Sequence, residues 1–194
     1  GSSGQVIGSF GVGGLAGSYE GNIVMDCYSS GTITAKGKAG GLIGSAGGTN
    51  IQRSYSLSKI NTSTAGEHFG GLLGICSSTT ITNCFASGEI TSSHDGSYYG
   101  GLIGSNWISN NISYSYAIGT INTTGSTNET IGGLVGLNYA SQINNCYSSG
   151  DVIASGENAR YIGGFVGWNE TSGMISNSYS TGKVAGHNLA GGFA

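Results

Sequence analysis

The sequence predicts an all-β fold, a parallel β-solenoid of six coils of about thirty residues, with about three short strands in each coil. Three observations carry this. The string Gly-Gly-(Leu/Phe)-x-Gly recurs from Gly13, Gly40, Gly70, Gly100, Gly132 and Gly163, and a truncated copy starts at Gly191, at successive spacings of 27, 30, 30, 32, 31 and 28 residues. A second block, Ile-x-x-(Cys/Ser)-(Tyr/Phe)-(Ser/Ala)-x-Gly-x-(Ile/Val), follows it at 24–33, 51–60, 81–90, 112–121, 143–152 and 175–184. Finally, 39 of the 194 residues are glycine and none is proline, as expected where most strand N–H groups donate to a neighbouring coil.

Four apolar columns define the strands. Leu15, Leu42, Leu72, Leu102, Leu134 and Phe165 follow the glycine pair. Val24, Ile51, Ile81, Ile112, Ile143 and Ile175 open the second block, and Ile33, Ile60, Ile90, Ile121, Val152 and Val184 close it. A looser column precedes the glycines: Val12, Ala39, Phe69, Tyr99, Ile131, Ile162 and Ala190. The segments between are Gly, Ser, Asn and Thr, and no helical period is present. One unit cannot bury its own apolar patches, but stacked units can, so residues 1–194 read as a single domain. At ~4.8 Å per coil the stack spans roughly 29 Å. The glycine pair reads as a corner, through positive φ or close approach of neighbouring coils. A phosphate-cradling loop would need a helix after it.

Charged residues make up 8% of the chain and the net charge is −3, which argues against nucleic acid as a partner. The apolar runs are only a few residues long, so no membrane insertion is expected. Cys27, Cys84 and Cys146 share one column with Ser54, Ser115 and Ser178, which marks a small inward position. Alternate coils lie ~9.6 Å apart, beyond the reach of a disulfide. Cys76 stands elsewhere without an obvious partner. No spacing suits zinc, no His-Glu-x-x-His or Gly-x-Ser-x-Gly occurs, and no cofactor is implied. His68, His94 and His187 lie in the variable segments before a glycine pair.

The candidate ligand-binding feature is an aromatic column, Tyr28, Tyr55, Phe85, Tyr116, Tyr147 and Tyr179. Strict alternation points it outward, where a ladder of rings would form a binding face. A corner at Ser-x-Gly would reset the parity and bury it, and burial is the expectation preferred here, since aromatics dominate apolar burial. A polar column, Thr32, Lys59, Glu89, Thr120, Asp151 and Lys183, belongs outside. Lys59 with Glu89, and Asp151 with Lys183, suit charge pairing between adjacent coils. Glu89 and Asp151, ~9.6 Å apart, lie near the upper limit for an inverting glycosidase. Each has a lysine neighbour, however, which suits no general acid. The column Thr34, Asn61, Thr91, Asn122, Ile153 and Ala185 is too irregular for an ice-binding threonine array.

The phrases Gly132-Gly133-Leu134-Val135-Gly136 and Asn177-Ser178-Tyr179-Ser180-Thr181-Gly182-Lys183-Val184 resemble the GLUG repeat, and the likeness runs along essentially the whole chain. Such repeats occur in large bacterial surface proteins, including adhesins and the non-catalytic parts of IgA-specific metallopeptidases. The resemblance implies secretion and surface display and supplies no catalytic residue. Both ends fall mid-repeat, which suggests flanking repeats, a cap or end-to-end self-association. The function expected is a structural or adhesive module, not an enzyme, with an unknown protein or glycan as ligand. The alternatives are a polysaccharide-acting β-helix enzyme or the scaffold of a surface protease, and then an ice-binding solenoid. Acids clustered in a groove would favour an enzyme; a flat face of stacked aromatics or Asn would favour adhesion.

Overall fold

The computed structural model describes residues 4–194. Its strands all pair in parallel, forming two sheets of seven strands and three of six. One coil runs Gly66–Gly70, Leu73–Ser77, Thr80–Thr82, Phe85–Ala86 and Ile90–Ser92, one strand in each of the five sheets. Equivalent residues sit directly above one another: Phe69 pairs with Tyr99, Leu73 with Ile103, Ile81 with Ile112, Phe85 with Tyr116 and Ile90 with Ile121. The corner leucines keep the same order, since Leu42 N–H donates to Leu72 O at 2.9 Å and Leu72 N–H to Leu102 O at 2.8 Å.

The coil has five strands where the sequence predicts about three. The strand before the glycine pair is a full member of a sheet, although its apolar column is loose. The second block, which reads as one run, is broken between its Ile and its Cys/Ser. The residues at that break, Asp26, Arg53, Asn83, Tyr114, Asn145 and Asn177, all have left-handed backbone, with φ between 44° and 56°. That conformation ends one strand and starts the next at an angle. Asn tolerates it better than Arg or Tyr.

The glycine pair forms the corner for reasons of space alone. Among the described residues, left-handed φ in glycine is confined to Gly4, Gly11, Gly31 and Gly48, so the pairs do not need the positive φ that glycine permits. They need the absence of a side chain. A Cβ on Gly70 would overlap the carbonyl oxygen of Leu73, and one on Gly71 would overlap the carbonyl oxygen of Gly101 in the next coil. The corner also projects inward until it meets the opposite wall of the coil. The second glycine of each pair lies against the residue after the aromatic column: Ser56 against Gly41, Ala86 against Gly71 and Ala117 against Gly101. Where that residue is serine it can bind the corner directly, as Ser29 Oγ donates to Gly41 O and Ser148 Oγ to Gly164 O, both at 2.6 Å. Gly-Gly and Tyr-(Ser/Ala), separate motifs in the sequence, are thus two sides of one contact.

This pinch divides the interior into two cores. One holds Leu42, Leu72, Leu102, Leu134 and Phe165 with Ile51, Ile81, Ile112 and Ile143 and the thiols of Cys76, Cys84 and Cys146. The other holds Ile33, Ile60, Ile90, Ile121 and Val152 with Ala39, Phe69, Tyr99, Ile131 and Ile162. Each fully buried Ile or Leu contributes roughly 1.5–3 kcal/mol. An amide ladder also runs along the axis, from Asn106 and Asn138, both buried, to exposed Asn169. Asn106 Nδ2 donates to Asn138 Oδ1 at 2.6 Å, and Asn138 Nδ2 to Asn169 Oδ1 at 2.7 Å. Buried amides are tolerated there because each coil supplies the partner for the next.

Candidate functional site

The aromatic column lies outside, which corrects the expectation of burial. The parity of the strand is never reset: Cys84 and Ala86 point into the core and Phe85 between them points out. The same holds for Tyr116 between Ser115 and Ala117, because the small residue must face the glycine corner. Tyr28 and Tyr179 are 40% and 55% exposed, and Tyr55, Phe85, Tyr116 and Tyr147 are partly covered by their neighbours.

The six rings form one continuous stack. Successive centroids are 5.2, 4.7, 5.0, 4.8 and 5.3 Å apart, with planes within 9° of parallel. Ring faces therefore cover one another, and what the stack offers to solvent is a row of edges and phenol hydroxyls. Among the described residues, no protein group hydrogen-bonds the hydroxyls of Tyr28, Tyr55, Tyr116, Tyr147 or Tyr179. Burial within the stack, followed by the neighbouring phenols of Tyr116 and Tyr179, raises the pKa of Tyr147.

Charges near this stripe are matched. Arg53 Nε donates to Asp26 Oδ1 at 2.8 Å, which holds the Asp26 carboxyl below its ordinary range, and Lys59 Nζ lies 3.8 Å from Glu89 Oε2. Asp151 differs from the expected ion pair: its Oδ1 accepts the backbone N–H of Lys183 at 2.9 Å. Exposed Leu57 and Ile118 flank the rings on one side, and Asn83, Asn145 and Asn177 on the other. The mixed column expected to be too irregular for ice binding keeps its register, with Asn61, Thr91, Asn122 and Ile153 side by side.

A second feature was not legible in the sequence. A groove of about 590 Å³ crosses the strands that precede the glycine pairs and is lined by Phe10, Lys38, Glu67, His68, Asp95 and Glu129, among others. Its acids come from the variable segments and share no motif. Two of the three are held by a local partner, and Glu67 lies beside a histidine. Glu129 Oε1 takes Arg160 Nη2 at 2.7 Å, Asp95 Oδ1 accepts Thr127 N–H at 2.9 Å, and Glu67 Oε2 is 3.7 Å from His68 Nε2. His68 stacks on Tyr98 at 5.1 Å and its Nδ1 shares a 2.7 Å hydrogen bond with Ser105 Oγ. Burial, and then the charge of Lys38, pulls its pKa down to about 4, so the ring is neutral at pH 7.

Cys27, Cys76, Cys84 and Cys146 are free thiols. Burial pushes the Cys84 and Cys146 thiols up to about 11, which suits inert core positions and not nucleophiles.

The family model described as the GLUG motif matches residues 8–34, 127–153 and 158–185. Searches of curated proteins and of solved structures each gave no match.

Proposed function

We propose that this run of GLUG repeats is a rigid module of a large secreted or cell-surface protein, serving as a spacer and a binding surface. The observation that carries the reading is the continuity of the side-chain ladders. The same stack of rings passes through all six coils on the outside, and the Asn106–Asn138–Asn169 amide ladder links three of them. Each coil braces the next at every level of the cross-section, which suits a rod. An antibody raised against this chain is expected to label intact source cells, with the label lost on brief surface proteolysis. Labelling that requires permeabilisation would overturn the reading.

One observation favours a second reading, a polysaccharide-acting enzyme: the groove with Glu67, Asp95 and Glu129. The partners of Asp95 and Glu129 suit structural roles better. Release of reducing ends from a polysaccharide, abolished by Glu129→Gln, would reverse the preference.

A further inference from the structure

The row of phenol hydroxyls has a repeat, a direction and a charge, and together these restrict what fits along it. We propose that the tyrosine stripe binds a straight, neutral, β-1,4-linked polysaccharide of the cellulose or chitin type, lying parallel to the solenoid axis. The proposal rests on the binding-surface reading above.

The repeat comes first. The stripe presents one aromatic edge per coil at 4.7–5.3 Å. A β-1,4-linked glycan is a flat ribbon whose sugars each advance by about one coil and carry equatorial hydroxyls along both edges. One sugar can thus meet one phenol over several coils without losing register. An extended peptide advances ~3.3 Å per residue, so neither one residue nor two matches the coil. Nucleic acid fails on both spacing and charge, since its phosphates need a basic surface.

The hydrogen-bonding groups come second. Tyr116, Tyr147 and Tyr179 offer three consecutive hydroxyls that no protein group among the described residues satisfies, each able to donate and to accept. A sugar hydroxyl is the matching partner. Phe85 breaks the row at one coil, leaving Tyr28 and Tyr55 as a second, shorter run.

Charge comes third. Beside the rings, Asp26 is paired with Arg53 and Glu89 with Lys59, and Asp151 and Lys183 bring opposite charges to adjacent coils, so these charges sum to zero along the stripe, which suits a neutral polymer. Because ring faces cover one another, recognition here runs through hydroxyls and not through sugar–ring stacking. This sets it apart from an open aromatic platform and makes Tyr→Phe, not Tyr→Ala, the informative change.

The test is depletion of the chain from solution by microcrystalline cellulose, by chitin and by granular starch, whose α-linked chains coil and hold no straight row. Wild type is expected to be depleted by cellulose, chitin or both, and not by starch. The triple variant Tyr116→Phe/Tyr147→Phe/Tyr179→Phe keeps the stack and, with an unchanged melting temperature, is expected to bind about ten-fold or more weakly, as three lost hydrogen bonds would give. Equal binding by a folded triple variant, equal binding to starch, or no depletion by either β-linked polymer would overturn the proposal. Cell-surface labelling without polysaccharide binding would sink this inference alone. Binding without surface exposure would sink the broader reading and leave the stripe's specificity intact.

Discussion

Phe69 and Tyr99 stack at 5.1 Å inside one core, and Tyr116 and Tyr147 stack at 4.8 Å on the outside of a nearby sheet. Ring type and coil spacing are the same, yet the consequences differ. Tyr99 is fully buried, so its hydroxyl must find partners: Ser92 Oγ at 3.1 Å and Asn128 Oδ1 at 3.4 Å. Burial also raises its pKa to about 12. The outer tyrosines give up only part of their rings to neighbours and leave their hydroxyls to solvent. A ladder of aromatics is therefore a core or a surface according to which side of the strand it occupies, and the pinch at the glycine corner fixes that side.

The sharpest way to separate the two ladders is truncation. Tyr99→Ala should cost about 3–5 kcal/mol, as for other large aromatic deletions from a core. Tyr116→Ala loses half-exposed stacking and should cost about 0.5–1.5 kcal/mol. Urea unfolding of both variants measures the difference, and equal costs would break the comparison.

Gly101→Val tests the contact that assigns the sides. Its Cβ would overlap the carbonyl oxygen of Gly133 and crowd Ala117, the residue after Tyr116. A loss of ~1–3 kcal/mol or more is expected. Val at Ile118, also adjacent to the ladder but pointing away from the corner, should change stability by less than ~0.5 kcal/mol.

pH separates the ladders next. Folding holds the Tyr99 proton more tightly than its ordinary value of 10.0, up to about 12. Its contribution is present below pH 10 and is lost as pH rises through 12, since the unfolded chain gives up the proton first. Cys84 and Cys146, raised from 9.0 to about 11, act in the same direction over a lower range. Tyr99→Phe should cost ~1–2 kcal/mol at pH 7 and flatten the decline above pH 10, whereas Tyr116→Phe, whose hydroxyl has no protein partner among the described residues, should cost little at pH 7.

The smallest effect lies beside the outer ladder. Tyr114 is 61% exposed and sits at φ 49°, in a column that holds Asn at three other coils, Asn83, Asn145 and Asn177. Tyr114→Asn should gain a few tenths of a kcal/mol, up to about 1 kcal/mol, by placing a residue that tolerates left-handed backbone. A higher melting temperature would bear this out, and a lower one would assign Tyr114 a packing role on the stripe.

The sequence by itself determined the coil period and the register. The Ile51, Ile81 and Ile112 column and the neighbours Lys59 and Glu89 could be read directly, because a repeat that stacks in parallel converts spacing into contact. The amide ladder was legible too and was missed: Asn106, Asn138 and Asn169 each fall two residues after Gly-Gly-Leu/Phe-x-Gly. Only the tertiary structure decided the side of the tyrosines, the fivefold division of the coil, the two cores and the acid-lined groove. The reason is that each depends on what faces a residue across the coil. Gly71 meets Ala86 fifteen residues later, through a turn whose angle no column records.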